Sequence, residues 1–145
     1  MAAPTLPRKR NSDFPTREGV GERERRAAEV MRRLLEHYPE TRTALDWKTP
    51  FELLIATILS AQCTDVRVNK VTPALFARFP DPAAMAQGTL EELEELVKTT
   101  GFFRSKAKSL LGTATIIMED FGGEVPRTMA ELLTLRGVAR KTANC

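Results

Sequence analysis

With 145 residues, 42% of them apolar and 28% charged, the chain has room for one domain with its own core and hardly for two. Its 22 basic against 19 acidic residues leave a net charge of +3, too mild to identify a nucleic-acid partner alone. No apolar run approaches the ~18 residues of a membrane span, no apolar segment follows the first basic residues as a secretory signal requires, and Cys63 and Cys145 offer neither a metal spacing nor a disulfide framework.

Those absences predict a cytoplasmic protein with no membrane partner. The distribution of charge says more than its sum. Residues 1–33 carry 9 basic and 5 acidic side chains, residues 34–100 carry 6 and 10, and residues 101–145 carry 7 and 4. Two basic ends around an acidic middle would orient the molecule on a polyanion; a solvated surface with chance asymmetry is the plain alternative.

In chain order, residues 1–20, with three prolines and the Arg8-Lys9-Arg10 cluster, read as a flexible basic arm. Residues 21–145 read as one helical domain. Ala27, Val30, Met31, Leu34, Leu35 and Tyr38 recur at helical spacing until Pro39 stops them. Thr49, Pro50 and Glu52 form a capping box opening a helix that is apolar all round from Phe51 to Leu59, which predicts central burial.

Asp65 is a candidate cap for the next short helix, which Thr72-Pro73 should break or kink. Asp81-Pro82 starts another. Thr89 and Glu92 repeat the capping box ahead of Leu90, Leu93, Leu96 and Val97, and Gly101 ends that helix. Ala107, Leu110, Leu111, Ala114, Ile117 and Met118 share a stripe that stops at Gly122, and Thr128 with Glu131 makes a third box. No alternating strand pattern appears, so the predicted class is all-α.

The last segment, LRGVARKTANC, reads as a helix, a glycine turn and the start of a second helix. Such a hairpin can present several backbone N–H groups and a helix N-terminus to one phosphate, with Arg136, Arg140 and Lys141 adding charge. A plain tight turn between helices is the alternative.

LRGVARKTAN resembles the LPGVGRKTAN hairpin of the endonuclease III family of DNA-repair glycosylases. The resemblance extends, in order, over Thr49–Lys70 (TPFELLIATILSAQCTDVRVNK), Thr99–Leu110 and Gly122–Gly137. It implies a helix-hairpin-helix DNA glycosylase fold: a six-helix barrel lobe, here incomplete, and a second lobe with a four-cysteine [4Fe-4S] cluster, whose ligand cysteines this sequence lacks. The implied partner is double-stranded DNA carrying an oxidised pyrimidine or an abasic site, bound by a monomer that flips the nucleotide out of the duplex.

By the same resemblance Lys141 is the lysine that forms a Schiff base and cleaves by β-elimination. It would have to lose its proton, which partial burial near Arg140 would favour. Gln62 is the glutamine that fills the gap left by the flipped nucleotide, and Phe102 stands where a leucine wedge is common, with Phe103 beside it. Leu135, Arg136, Gly137, Val138, Ala139 and Arg140 form the DNA-binding hairpin. Related adenine-specific mismatch glycosylases carry a glutamate where this chain has Ile58 and lack the hairpin lysine.

The sequence departs from the pattern at Arg136, where the family has proline, and at Ala139, where it has glycine. If position 139 needs positive φ, its Cβ costs roughly 1 kcal/mol. The family's aspartate and cluster cysteines are not found, so the chain reads as truncated after the hairpin. The resulting expectations are weak activity, a stripe of Val30, Met31, Leu34 and Leu35 that re-packs or stays exposed, and a partly uncovered Phe51–Leu59 helix. The alternatives to an enzyme are a non-catalytic helix-hairpin-helix DNA-binding module and a helical packing unit.

Overall fold

The computed structural model describes residues 19–145, all of whose regular elements are helical. The expected arm, including Arg8, Lys9 and Arg10, lies outside the described residues apart from Gly19 and Val20. Among the described residues, packing separates two compact units, residues 19–42 and 43–145.

In the first unit, helix α1 (Val20–His37) is built from strong helix formers. Glu29 pairs with Arg32 at 2.8 Å and Arg33 at 2.7 Å, and Arg32 also reaches Glu36. The Tyr38 N–H closes the helix on the Leu34 carbonyl at 2.7 Å, just before Pro39. No residue of α1 is buried, and Val30, Met31, Leu34, Leu35 and Tyr38 are all exposed.

The second unit holds seven helices: α2 (Pro50–Ser60), α3 (Asp65–Arg78), α4 (Pro82–Ala86), α5 (Leu90–Val97), α6 (Phe103–Asp120), α7 (Met129–Leu132) and α8 (Arg140–Ala143). Helices α4 and α5 pack on α6, α2 on α3 and α6, and α3 on α5. The core comes from every side of this array: Ile55 and Leu59 of α2, Val68 and Leu75 of α3, Met85, Leu93 and Val97, then Leu110 and Ile117 of α6, with Phe79 between. Helix α2 was expected to be partly uncovered and is not. Phe51 and Leu54 to Leu59 are buried, because α3, α6 and the hairpin residues Leu135 and Val138 share its core.

Side-chain caps set most helix starts. Asp81 accepts from the Ala84 N–H at 2.8 Å. The boxes at Thr89/Glu92 and Thr128/Glu131 are reciprocal. At α2 the box is only half formed: Thr49 accepts from Glu52 N–H at 3.2 Å, but the Glu52 carboxylate reaches past Thr49 to the Lys48 N–H at 2.6 Å.

Thr64, not Asp65, caps α3, and α3 runs unbroken through Pro73. A mid-helix proline costs about 3 kcal/mol. Burial of Val68, Val71, Thr72 and Leu75 offsets it. So do the two bonds by which the Asn69 side chain holds the preceding loop, to the Ala44 carbonyl at 2.8 Å and from the Asp46 N–H at 2.9 Å.

Candidate functional site

Three turns of the second unit converge on one cleft of about 230 Å³, lined by Ile58, Ala61, Gln62, Phe102, Ser105, Lys106, Ser109 and Gly137. The first turn joins α2 to α3. Helix α2 ends at Ser60, Cys63 N–H returns to the Ser60 carbonyl at 3.1 Å, and Gln62 between them takes a left-handed backbone with φ 51°. Its side chain is exposed.

The second turn joins a single 3-10 turn, Lys98–Thr100, to α6. Gly101 has φ 73° and Phe102 φ 48°. Gln62 and Phe102 are the only non-glycine residues with positive φ among the described residues. Each such placement costs roughly 1–2 kcal/mol for an L residue and persists only where the surroundings over-determine it. Phe102 is 67% exposed, so burial of the ring does not compensate. Phe103 is half-buried against the core and lies under Arg104, leaving Phe102 as the free ring of the pair.

The third turn is the hairpin between α7 and α8. Gly137, with φ 77°, is pressed so closely on α6 that a Cβ there would stand 2.8 Å from Ser109 Cβ and 2.9 Å from its Oγ. Thr113 Oγ1, wholly buried, donates to the Arg136 carbonyl at 2.6 Å. The Arg136 stem lies against Gly112, where an added Cβ would meet its Cδ at 2.6 Å. A hydrogen bond and two close glycine approaches thus fix the backbone where the resemblance leads one to expect a proline ring. Ala139 is extended, with φ −97° and ψ 172°, so alanine carries no strain there.

Leu135 and Val138 are buried, and their side chains belong to the core. Arg136, Gly137, Ala139, Arg140 and Lys141 are exposed. Lys141 is the second residue of the four-residue α8 and is exposed, where partial burial was expected. Gln62, Phe102 and Gly137 line the cleft together; Lys141 is not among its lining residues.

Lys106 is not among the residues that the sequence singles out. It is 6% exposed, lines the cleft, and its Nζ donates to the Thr100 carbonyl at 2.7 Å. Burial holds its ammonium below the usual lysine range, and nearby Cys63 acts in the opposite sense. Its signal was positional: it precedes Ala107 and lies four residues before Leu110, at the edge of the α6 stripe.

Cys63 is half-buried and Cys145 exposed, and no group of three or more His, Cys, Asp or Glu among the described residues could hold a metal ion. These residues do not fit a [4Fe-4S] cluster. None of the described helices is long and apolar enough to cross a membrane.

Residues 55–143 match the family described as HhH-GPD superfamily base excision DNA repair protein. The chain is similar to endonuclease III of Synechocystis sp., with 58% identity over 86% of this chain and 57% of that protein. Among solved structures it is similar to a non-covalent endonuclease III–DNA complex, at TM-score 0.74 and 40% identity over 83% of this chain and 56% of that one. It is equally similar to a trapped endonuclease III–DNA covalent intermediate, an estranged-adenine complex, at TM-score 0.74 and 40% identity over 83% and 57% of the two chains. The chain thus spans a little over half the length of the relatives it matches.

Proposed function

The chain belongs to the HhH-GPD superfamily of base excision DNA repair proteins, in its endonuclease III family, and from that premise we propose that it acts on damaged double-stranded DNA as a glycosylase and abasic-site lyase. One observation carries the reading: Gln62 and Phe102, both on left-handed backbone, stand on the rim of one cleft with Gly137 of the hairpin. An enzyme that works on a base must take it out of the stack, and something must occupy the gap. The Gln62 amide, donor and acceptor at once, suits the orphaned opposite base. The exposed Phe102 ring suits stacking on a neighbouring one. Arg136, Arg140 and the backbone of the hairpin would hold a phosphate and set the register without reading sequence.

In this reading the Lys141 amine attacks C1′ of the flipped nucleotide and the base leaves with the bonding pair. Ring opening gives an imine, the C2′ proton is lost, and the 3′ phosphate departs. The relative trapped as a covalent DNA intermediate supports a covalent route. Oxidised pyrimidines as the base class, a monomeric state, a cytoplasmic location and phosphate contacts from residues 1–20 belong to the same proposal. So does the division of the chain into that arm and a domain over residues 21–145.

A second reading, a non-catalytic helix-hairpin-helix DNA-binding module, is favoured by the exposure of Lys141 on a helix of one turn. Borohydride trapping on abasic duplex separates the two. The enzyme reading expects a covalent adduct from the whole chain that disappears in Lys141→Ala and survives in Lys70→Ala. An adduct that persists in Lys141→Ala removes Lys141 from its role, and salt-sensitive binding with no adduct selects the binding module.

A further inference from the structure

Lys106 is the one buried cation of the cleft, and the repair reading gives it nothing to do. A long charged side chain is rarely this buried without a partner, and a methionine would fill the same volume without desolvating a charge. Its ammonium bond explains its identity, and its backbone bond completes the grip. The Lys106 backbone N–H donates to the Phe102 carbonyl at 3.0 Å, and its Nζ donates to the Thr100 carbonyl at 2.7 Å. The same Thr100, itself buried, donates its Oγ1 to the Val97 carbonyl at 2.8 Å. One residue of α6 therefore grips the chain on both sides of Gly101 and Phe102. No side chain caps α6 at Phe102, so this grip is the polar restraint on a backbone that a phenylalanine avoids.

We propose that Lys106 is a positioning residue: by bracketing Gly101–Phe102 it holds the Phe102 ring on the cleft rim beside Gln62, ready to enter DNA at the lesion. The proposal rests on the repair reading for the destination of the ring, but the grip itself exists in the free protein and is tested there. A lysine acting as a second nucleophile would be a different role, and the covalent assay exposes it.

Hydrogen exchange at the backbone amide of residue 106, which donates to the Phe102 carbonyl at 3.0 Å, is the first measurement in the whole chain. Lys106→Met should accelerate it about tenfold, as loss of a charged hydrogen bond allows, with cooperative melting retained; Lys106→Arg should restore most of the protection. Should Lys106→Met not melt cooperatively, Lys106→Gln takes its place, an amide too short to reach Thr100.

The second measurement is the preference for abasic over intact duplex. Lys106→Met and Phe102→Ala should each reduce it about tenfold, and the double variant no further, since both remove the same wedge. Unchanged exchange in Lys106→Met, or penalties that multiply in the double variant, overturn the proposal. So does a borohydride adduct that survives Lys141→Ala and is lost when Lys106→Met is added. A wild-type chain with Lys106-dependent exchange but no preference for abasic duplex leaves the grip established and overturns the repair reading instead.

Discussion

The cleft is assembled from turns of two kinds. At the hairpin the left-handed residue is Gly137, and the absent side chain is what the structure uses: the backbone lies against Ser109 and Ile58. At the two other turns a non-glycine residue is left-handed, Gln62 at one and Phe102, next to Gly101, at the other, and the side chain is kept at the expense of backbone strain. Glycine there would relieve the strain, so retention of an amide and an aromatic ring at these two rims points to work done outside the fold. The contrast separates positions that hold the cleft together from positions that face what enters it.

The strongest way to break this contrast is Gly137→Ala. It adds a left-handed Cβ, roughly 1–2 kcal/mol, and drives it into Ser109, an overpacking of roughly 1–3 kcal/mol. Urea or thermal melts should show a loss of about 3 kcal/mol, and Ser109→Gly should return part of it by clearing the contact at 2.8 Å. A melt within about 0.5 kcal/mol of the wild type would mean that the hairpin is not pressed on α6.

The helices were largely legible because their signals are local. The boxes at Thr89/Glu92 and Thr128/Glu131, the proline start at Asp81-Pro82 and the all-round apolar run of α2 each follow from neighbours within a few residues. The errors came where distant contacts overrule local preference. Pro73 reads as a break or a kink and does not break α3, since the buried residues around it gain more from continuity than one lost bond costs. Thr64 and Asp65 are both good caps, and sequence cannot choose between adjacent candidates. At the site, the resemblance supplied Gln62, Phe102 and the hairpin. Residue type does not announce positive φ at a glutamine or a phenylalanine, and Gly101 marked the second turn without saying that the left-handed stretch runs one residue further. Lys106 was hidden because its partner is a backbone carbonyl, which has no sequence signature.

Glycine at the two rims should sharpen the comparison by reversing the sign of the effect on stability. In Gln62→Gly and Phe102→Gly the relief of roughly 1–2 kcal/mol of backbone strain is set against the extra unfolded-state freedom of glycine, roughly 0.5–1 kcal/mol. Each variant should therefore melt no lower than wild type and up to about 1 kcal/mol more stably. Both should lose preference for abasic over intact duplex. A destabilisation of about 2 kcal/mol or more in either variant would assign that side chain to the fold and move it to the Gly137 class.

The smallest expected effect is the dependence on pH of the Lys106 grip. Burial lowers the proton affinity of Lys106 in the folded chain relative to the unfolded one, where lysine titrates near ~10.4. The unfolded chain then binds more protons between the lowered folded value and the ordinary one, and stability rises with pH across that window. The contribution is complete above the ordinary lysine value and is lost as pH falls through the folded one. Cys63, which acts in the opposite sense, is the titratable neighbour to remove, so the comparison belongs in a Cys63→Ala background. There, the stability of the Lys106 protein minus that of Lys106→Met should climb as the solution is made alkaline. A flat or falling difference would mean that the ammonium is not desolvated in the cleft, which would place Lys106 with the exposed lysines and return the strain at Phe102 to some other restraint.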